Sequence, residues 1–227
     1  MYKLISIVML MLMTSLSYAY DIYVTQWGAT LDLDITLDGQ NNTVGNSSTA
    51  STSTGATTTL NIDQIGNSNV ITYQINGASY TGTINLVGNS NNVDLNCDST
   101  GNNSSCGTAN AVINFTGNSN DIDLDIGQTS SANTADVDIV GQSGSDSNVV
   151  AATIDGNSAI LTITVNGDTN NYLIDIDGNG DINGHTLIHS HTGGIADVDI
   201  TQSGVNDQMI TLTTSGDNHD IDIQQTD

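Results

Sequence analysis

The 227-residue chain holds 25 acidic residues, every one of them Asp, against a single Lys+Arg, for a formal net charge of −24 at pH 7. Nucleic-acid recognition is excluded because a phosphate-binding surface needs cations, and so is Walker-type nucleotide binding, which needs a Lys where the only one here is Lys3. Pro is absent, Gly numbers 23 and aromatics make up 4%, so the composition argues against long helices, whose best formers Glu, Arg and Lys are almost missing.

Residues 1–19 read as a secretory signal. Lys3 is the positive start, Leu4–Met13 is an apolar run broken only by Ser6, and Ser17 and Ala19 are the small residues before a cleavage point at Tyr20. The run is too short to span a bilayer comfortably, so no membrane span is expected and the remaining chain, residues 20–227, is placed outside the cytoplasm. Ile22, Tyr23, Val24 and Trp27 open that chain as a strand holding two scarce Tyr, counting Tyr20, and the sole Trp.

Period-2 alternation then dominates, and aligning on glycine exposes a repeat. Its clearest copies are Ile62-x-Gln64-x-Gly66-x-x-Asn69, Ile84-x-Leu86-x-Gly88-x-x-Asn91, Ile113-x-Phe115-x-Gly117-x-x-Asn120 and Ile163-x-Val165-x-Gly167-x-x-Asn170. Weaker copies centre on Gln26-x-Gly28, on Gly141 with a lengthened turn reaching Asn148, and on Gln202-x-Gly204. These anchors lie 38, 22, 29, 24, 26 and 37 residues apart. Each unit reads strand, Gly-x-x-Asn turn, strand, with Gly and Asn supplying the positive φ of a tight corner. One unit cannot bury its apolar face alone, whereas stacked units can, so the expected fold is an all-β parallel β-helix, or β-solenoid, of about seven strand–turn–strand repeats. An ordinary β-sandwich with Asn/Gly turns is the alternative.

The alternation sends Ile, Leu, Val and Phe inward and Asp121, Asp123 and Asp125 outward. Asp94 and Asp123 fall at equivalent outward positions of successive units. Two stretches interrupt the rhythm. The Ser/Thr/Gly-rich segment 43–59 is expected as a floppy low-complexity insertion, and 178–194 as a second insertion. A further match, Gly216-x-x-His219, follows Gly204 too soon to be placed.

Cys97 and Cys106 bracket a run of turn-forming residues. An exported chain oxidises, so a disulfide closing this small loop is expected, with two free thiols as the alternative. Asp175, Asp177, Asn179 and Asp181, followed by Ile182, match the oxygen-ligand spacing of a calcium loop, although Thr186 stands where the closing Glu belongs. The other reading is a strand edge whose outward Asp residues run into a glycine turn. His185, His189 and His191 cluster in the second insertion and could suit Zn or Cu, or do nothing specific. No Ser-His-Asp or Cys-His arrangement stands out, and enzymatic activity is not expected.

The repeat resembles the curlin repeat of bacterial curli fibre subunits, Ser-x5-Gln-x-Gly-x-x-Asn-x-Ala-x3-Gln. Thr58, Gln64, Gly66, Asn69, Ile71 and Ile75 fall on its successive positions, and Gln26-x-Gly28 and Gln202-x-Gly204 keep half of it. Leu86, Phe115 and Val165 depart from it by replacing the ladder Gln. The resemblance implies β-solenoid subunits exported through an outer-membrane secretion pore that polymerise into adhesive biofilm fibres. On this reading the protein is a secreted structural subunit of a cell-surface, amyloid-like filament. It would pair with itself head to tail through Ile22–Trp27 and bind cell or matrix surfaces. The alternative is a monomeric calcium-binding solenoid adhesin, with Ca²⁺ as its cofactor.

Overall fold

The computed structural model describes residues 21–46, 48–97, 106–127, 134–156, 158–177, 185–204 and 208–226. Asn179 and Asp181 of the calcium-loop motif lie outside them. The described residues form strands and turns with no helix. In chain order the strands are β1 (Asp21–Ile22), β2 (Thr25–Trp27), β3 (Thr30–Asp38), β4 (Thr43–Val44), β5 (Ser51–Ile65), β6 (Val70–Val87), β7 (Asn92–Cys97), β8 (Thr108–Thr116) and β9 (Asp121–Ile126). They continue as β10 (Thr134–Gly141), β11 (Val149–Asp155), β12 (Ser158–Asn166), β13 (Asn170–Asp177), β14 (Thr186–Thr192), β15 (Ala196–Ser203), β16 (Met209–Ser215) and β17 (His219–Thr226).

Every strand pairing is parallel, and each strand pairs with the equivalent strand one turn away, which makes the fold a β-solenoid. Two faces alternate along the chain. On the entry face, leading into the glycine corner, β3, the second half of β5, the second half of β6, β8, β10, β12, β14 and β16 stack in that order. On the exit face, leaving it, β1–β2, β4 with the start of β5, the start of β6, β7, β9, β11, β13, β15 and β17 stack. Seven turns separate the first corner at Gly39 from the last at Gly216.

The core lies between the two faces and is built of columns. On the entry face Ile35, Ile62, Ile84, Ile113, Ile139, Ile163 and His189 stack in register. On the exit face Val93, Ile122, Val150, Tyr172 and Val198 do the same. Burying one such side chain contributes about 1.5–3 kcal/mol, and period-2 alternation directs three or four residues inward on each of β7 to β14. Large and small residues interlock between turns. Gly141 occupies an inward position between Phe115 and Val165, where a methyl group would overlap the Phe115 ring.

Three sequence expectations are corrected here. The segment 43–59 is not a floppy insertion: residues 43–44 and 51–59 are paired strand, and only a short excursion, closed by an Asn46–Thr49 bridge, leaves the coil. Thr and Ser are β-compatible, and Ser53 and Thr58 satisfy each other's hydroxyls inside at 3.0 Å. The second insertion is likewise smaller than 178–194, because β14 is an ordinary core strand with Leu187, His189 and His191 inward. Gly141 is a strand residue, and Ser145 holds the corner in that turn, its carbonyl lying against Gly167 as the other corner residues lie against their neighbours.

Candidate functional site: corner ladders and open edges

The glycine corner is the most repeated local structure. A side chain on Gly66, Gly88, Gly117, Gly167, Gly193 or Gly216 would strike the backbone carbonyl of the corner one turn before it. Gly66, Gly88 and Gly117 also hold φ of 138°, 136° and 115°. Both facts require glycine. The left-handed residue of the corner is the third, not the Asn: Ser68, Ser90, Ser119, Ser147 and Thr169 hold φ between 57° and 61°. Asn69, Asn91, Asn120, Asn148 and Asn170 are instead buried, and each accepts a backbone hydrogen bond from the previous turn's Asn.

That inner ladder runs Asn42 N–H to Asn69 Oδ1 at 2.9 Å, Asn69 to Asn91 at 3.1 Å, Asn91 to Asn120 at 3.1 Å, Asn120 to Asn148 at 2.8 Å and Asn148 to Asn170 at 2.9 Å. A second, solvent-exposed ladder runs in the opposite sense. Asn89 N–H donates back to Asn67 Oδ1 at 2.7 Å, Asn118 to Asn89 at 2.6 Å, Asp146 to Asn118 at 3.0 Å and Asp168 to Asp146 at 2.6 Å, before Gly194 donates to Asp168. The inner ladder stops at Ala196, the next residue of the column. Sequence alignment misplaced the weaker copies. Gly39-x-x-Asn42 is the first corner, and Gly193 and Gly216 are the last two. Gly28 and Gly204 lie at the opposite corner, donating to Thr54 O at 3.0 Å and Thr226 O at 3.1 Å. The true repeat lengths are 27, 22, 29, 28, 22, 26 and 23 residues, as the bonds between successive turns record.

The three motif glutamines do not form one ladder. Gln64 is inward on the entry face between Leu37 and Leu86, and its buried amide has no hydrogen-bond partner. Gln26 and Gln202 belong to the exit face, where Gln225 donates to Gln202 Oε1 at 3.1 Å. Cys97 and Cys106 are joined as a disulfide with both residues buried.

Of the calcium motif, Asp175 and Asp177 project outward from β13, and Asp177 accepts a 2.7 Å bond from Ser203 Oγ. Burial, then Asp177, raises the pKa of Asp175 above the usual carboxylate value. Asp94 and Asp123 are vertical neighbours, as their equivalence required. Burial raises both, and repulsion from Asp94 and Asp121 adds to it at Asp123. These three carboxylates share a shallow concavity of about 460 Å³ with Asn46 and Thr72.

The histidines are core residues. His189 and His191 are wholly buried on β14, and His219, too remote in sequence to relate to them, packs edge-on to His191 with ring centroids 5.4 Å apart. Tyr172 stands edge-on to His189 at 4.4 Å and shares a 3.0 Å hydrogen bond with His191 Nδ1. Burial lowers the pKa of His189 to about 4, and His191 adds to it. The clustering of His189 and His191 was legible in the sequence, but their burial against Tyr172 and His219 follows only from the long-range register.

The two ends of the coil are open among the described residues. At one end β3 pairs only with β5, and β1–β2 only with β4 and β5. At the other, β16 pairs only with β14, and β17 only with β15. Of the residues proposed to join subunits, Ile22 and Val24 point inward and are half-buried. Tyr23 and Trp27 point outward, with Trp27 81% exposed. Ile221 and Ile223 continue the inward columns yet are 36% and 48% exposed, because no turn among the described residues covers them. No family model, curated protein or solved structure matches this chain.

Proposed function

We propose that this protein is a secreted structural subunit of an extracellular, curli-like filament, which assembles head to tail by strand pairing and serves adhesion or a biofilm matrix. One observation carries the reading: among the described residues, both ends of the solenoid present unpaired parallel strand edges together with inward apolar residues that every interior turn keeps covered, Ile221 and Ile223 above all. Free edges of this kind recruit further strands. Contact between two unlike ends does not close, so it propagates as a fibre. Export through a secretion pore and attachment to cell or matrix surfaces belong to the same proposal.

A second reading, a monomeric calcium-binding adhesin, is favoured by one feature, the concavity holding Asp94, Asp121 and Asp123. Electron microscopy of the purified secreted protein tests the first against the second. Long unbranched fibres are expected. Dispersed particles that persist with calcium, and melt at lower temperature without it, would replace the filament by the adhesin.

A further inference from the structure

The described strands number nine on the exit face and eight on the entry face. A continuing coil alternates faces, so β17 on the exit face should be followed by an entry-face strand. The first described strands of a second copy, β1–β2, are again exit-face strands. Two copies stacked whole therefore leave an entry-face gap one strand wide, with β16 and the next β3 about 10 Å apart instead of about 5 Å. Peptide groups along both edges of that gap would lack partners.

The gap closes if one strand, not two, holds the exit-face place at the joint. The two claimants have the same inward pattern, Ile22-x-Val24-x-Gln26 and Ile221-x-Ile223-x-Gln225. Resting on the filament reading above, we propose that subunits join by strand exchange. β17 of one copy takes the place that β1–β2 hold against β4 and β5 of the next, β1–β2 are released, and β16 pairs with β3.

The length of pairing selects β17. It is matched to β15 over eight residues, whereas β1 and β2 are matched to their neighbours over two and three. Exchange in this direction keeps the longer pairing and refills the shorter one. Extending the columns then sets Ile221 on Val44 and Leu212 on Ile35. It also sets Thr211 and Ser215 opposite Asp34 and Asp38, hydroxyl against carboxylate as Ser203 meets Asp177 at 2.7 Å. No two of the matched positions are both Asp. Whole stacking would add Asp21 on Asp220 to the Asp197–Asp220 and Asp199–Asp222 contacts, whereas the opposite exchange would trade those two for Asp21 on Asp197. In a chain without cations outside residue 3, charge therefore counts against whole stacking, and the longer pairing of β17 decides the direction of the exchange.

Three double-cysteine variants of the full chain, all at outward positions, distinguish the joints. Neighbouring strands bring paired Cα atoms within disulfide reach. Gln224→Cys with Thr52→Cys can bridge two copies only under the proposed exchange. Gln224→Cys with Thr25→Cys bridges them only in whole stacking, and Thr25→Cys with Thr201→Cys only in the opposite exchange. After assembly and mild oxidation, non-reducing gels should shift the first variant from monomer to a ladder of oligomers and leave the other two monomeric. A ladder from either other variant, or fibres with no ladder from the first, overturns the exchange and leaves the filament. Absence of both fibres and ladders overturns the filament reading as well.

Discussion

Asn120 shows how much of one residue's role is local. Its spacing from Gly117 announces a corner, but nothing nearby in sequence says that its amide serves the turn before it. Its Oδ1 accepts from both the backbone and the side chain of Asn91 at 3.1 Å, and its Nδ2 donates to Gly117 O at 2.9 Å. Asn120→Ala leaves a buried N–H of Asn91 without its acceptor, and such orphaned groups cost about 1–3 kcal/mol each. Chemical denaturation should therefore show a loss of roughly 2–4 kcal/mol. The same change at Asn118, whose ladder is exposed to water, should cost less than about 1 kcal/mol, since water replaces the lost bond to Asp146. Equal losses at the two positions would remove the distinction between the ladders. Thr169, a β-branched residue at φ 60°, holds the conformation that Ser fills elsewhere, and the register of the ladder keeps it there.

At the scale of the element, β14 is where the core turns polar. Ile163 lies beyond His189 on one side and Leu212 on the other, so an imidazole occupies an aliphatic column. His189 is held neutral by burial and by His191. His191 is itself lowered by burial and His219, against a smaller opposing pull from Asp168. His185 is lowered by burial and partly restored by Asp177. A group whose folded pKa lies below its unfolded value contributes stability that is complete above the unfolded pKa and lost as pH falls through the folded one. For His189 the window runs from 6.5 down to about 4, which amounts to roughly 3 kcal/mol. Asp94, Asp123 and Asp175 work in the other sense: their raised values favour the folded state at low pH, and that contribution fades as pH rises through them. Melting temperature should fall between pH 6.5 and pH 4, and His189→Leu, which completes the aliphatic column, should flatten the decline. An unchanged slope in that variant would place the acid sensitivity elsewhere.

For the whole molecule the question is how a chain of net charge −24 coils tightly at all. The stacking interleaves its carboxylates with amides and hydroxyls. Asn61 donates to Asp34 at 2.8 Å and Asn85 to Asp63 at 2.6 Å. Carboxylates meet directly at Asp94 and Asp123, Asp155 and Asp177, Asp197 and Asp220, and Asp199 and Asp222. Each such pair, about 5 Å apart, repels by roughly 0.8 kcal/mol in bulk water, and less once salt shortens the Debye length to about 10 Å at 0.1 M. Melting should therefore drop in low salt with chelator and recover with sodium chloride. Recovery with calcium beyond that of sodium at equal ionic strength would mark a bound ion. Identical melting in all conditions would show that solvent cations contribute nothing.

The alternation of the strands and the regular return of glycine were legible in the chain alone, because side-chain direction has period 2 and a tight corner admits few residues. They suffice for the solenoid, for the outward Asp121, Asp123 and Asp125, and for the equivalence of Asp94 and Asp123. Which glycine turns the corner was decided by stacking. Gly28, Gly141 and Gly204 follow the same kind of strand as Gly66 but lack the Asn three residues on, which Gly39 has in Asn42; contact with the turns above and below then assigns them to a strand position or the opposite bend. The same holds for segment 43–59 and for the histidines of β14, whose polar sequences become core when a neighbouring turn supplies the register. Local sequence sets the direction of each side chain; the adjacent turn, tens of residues away, settles what that side chain meets.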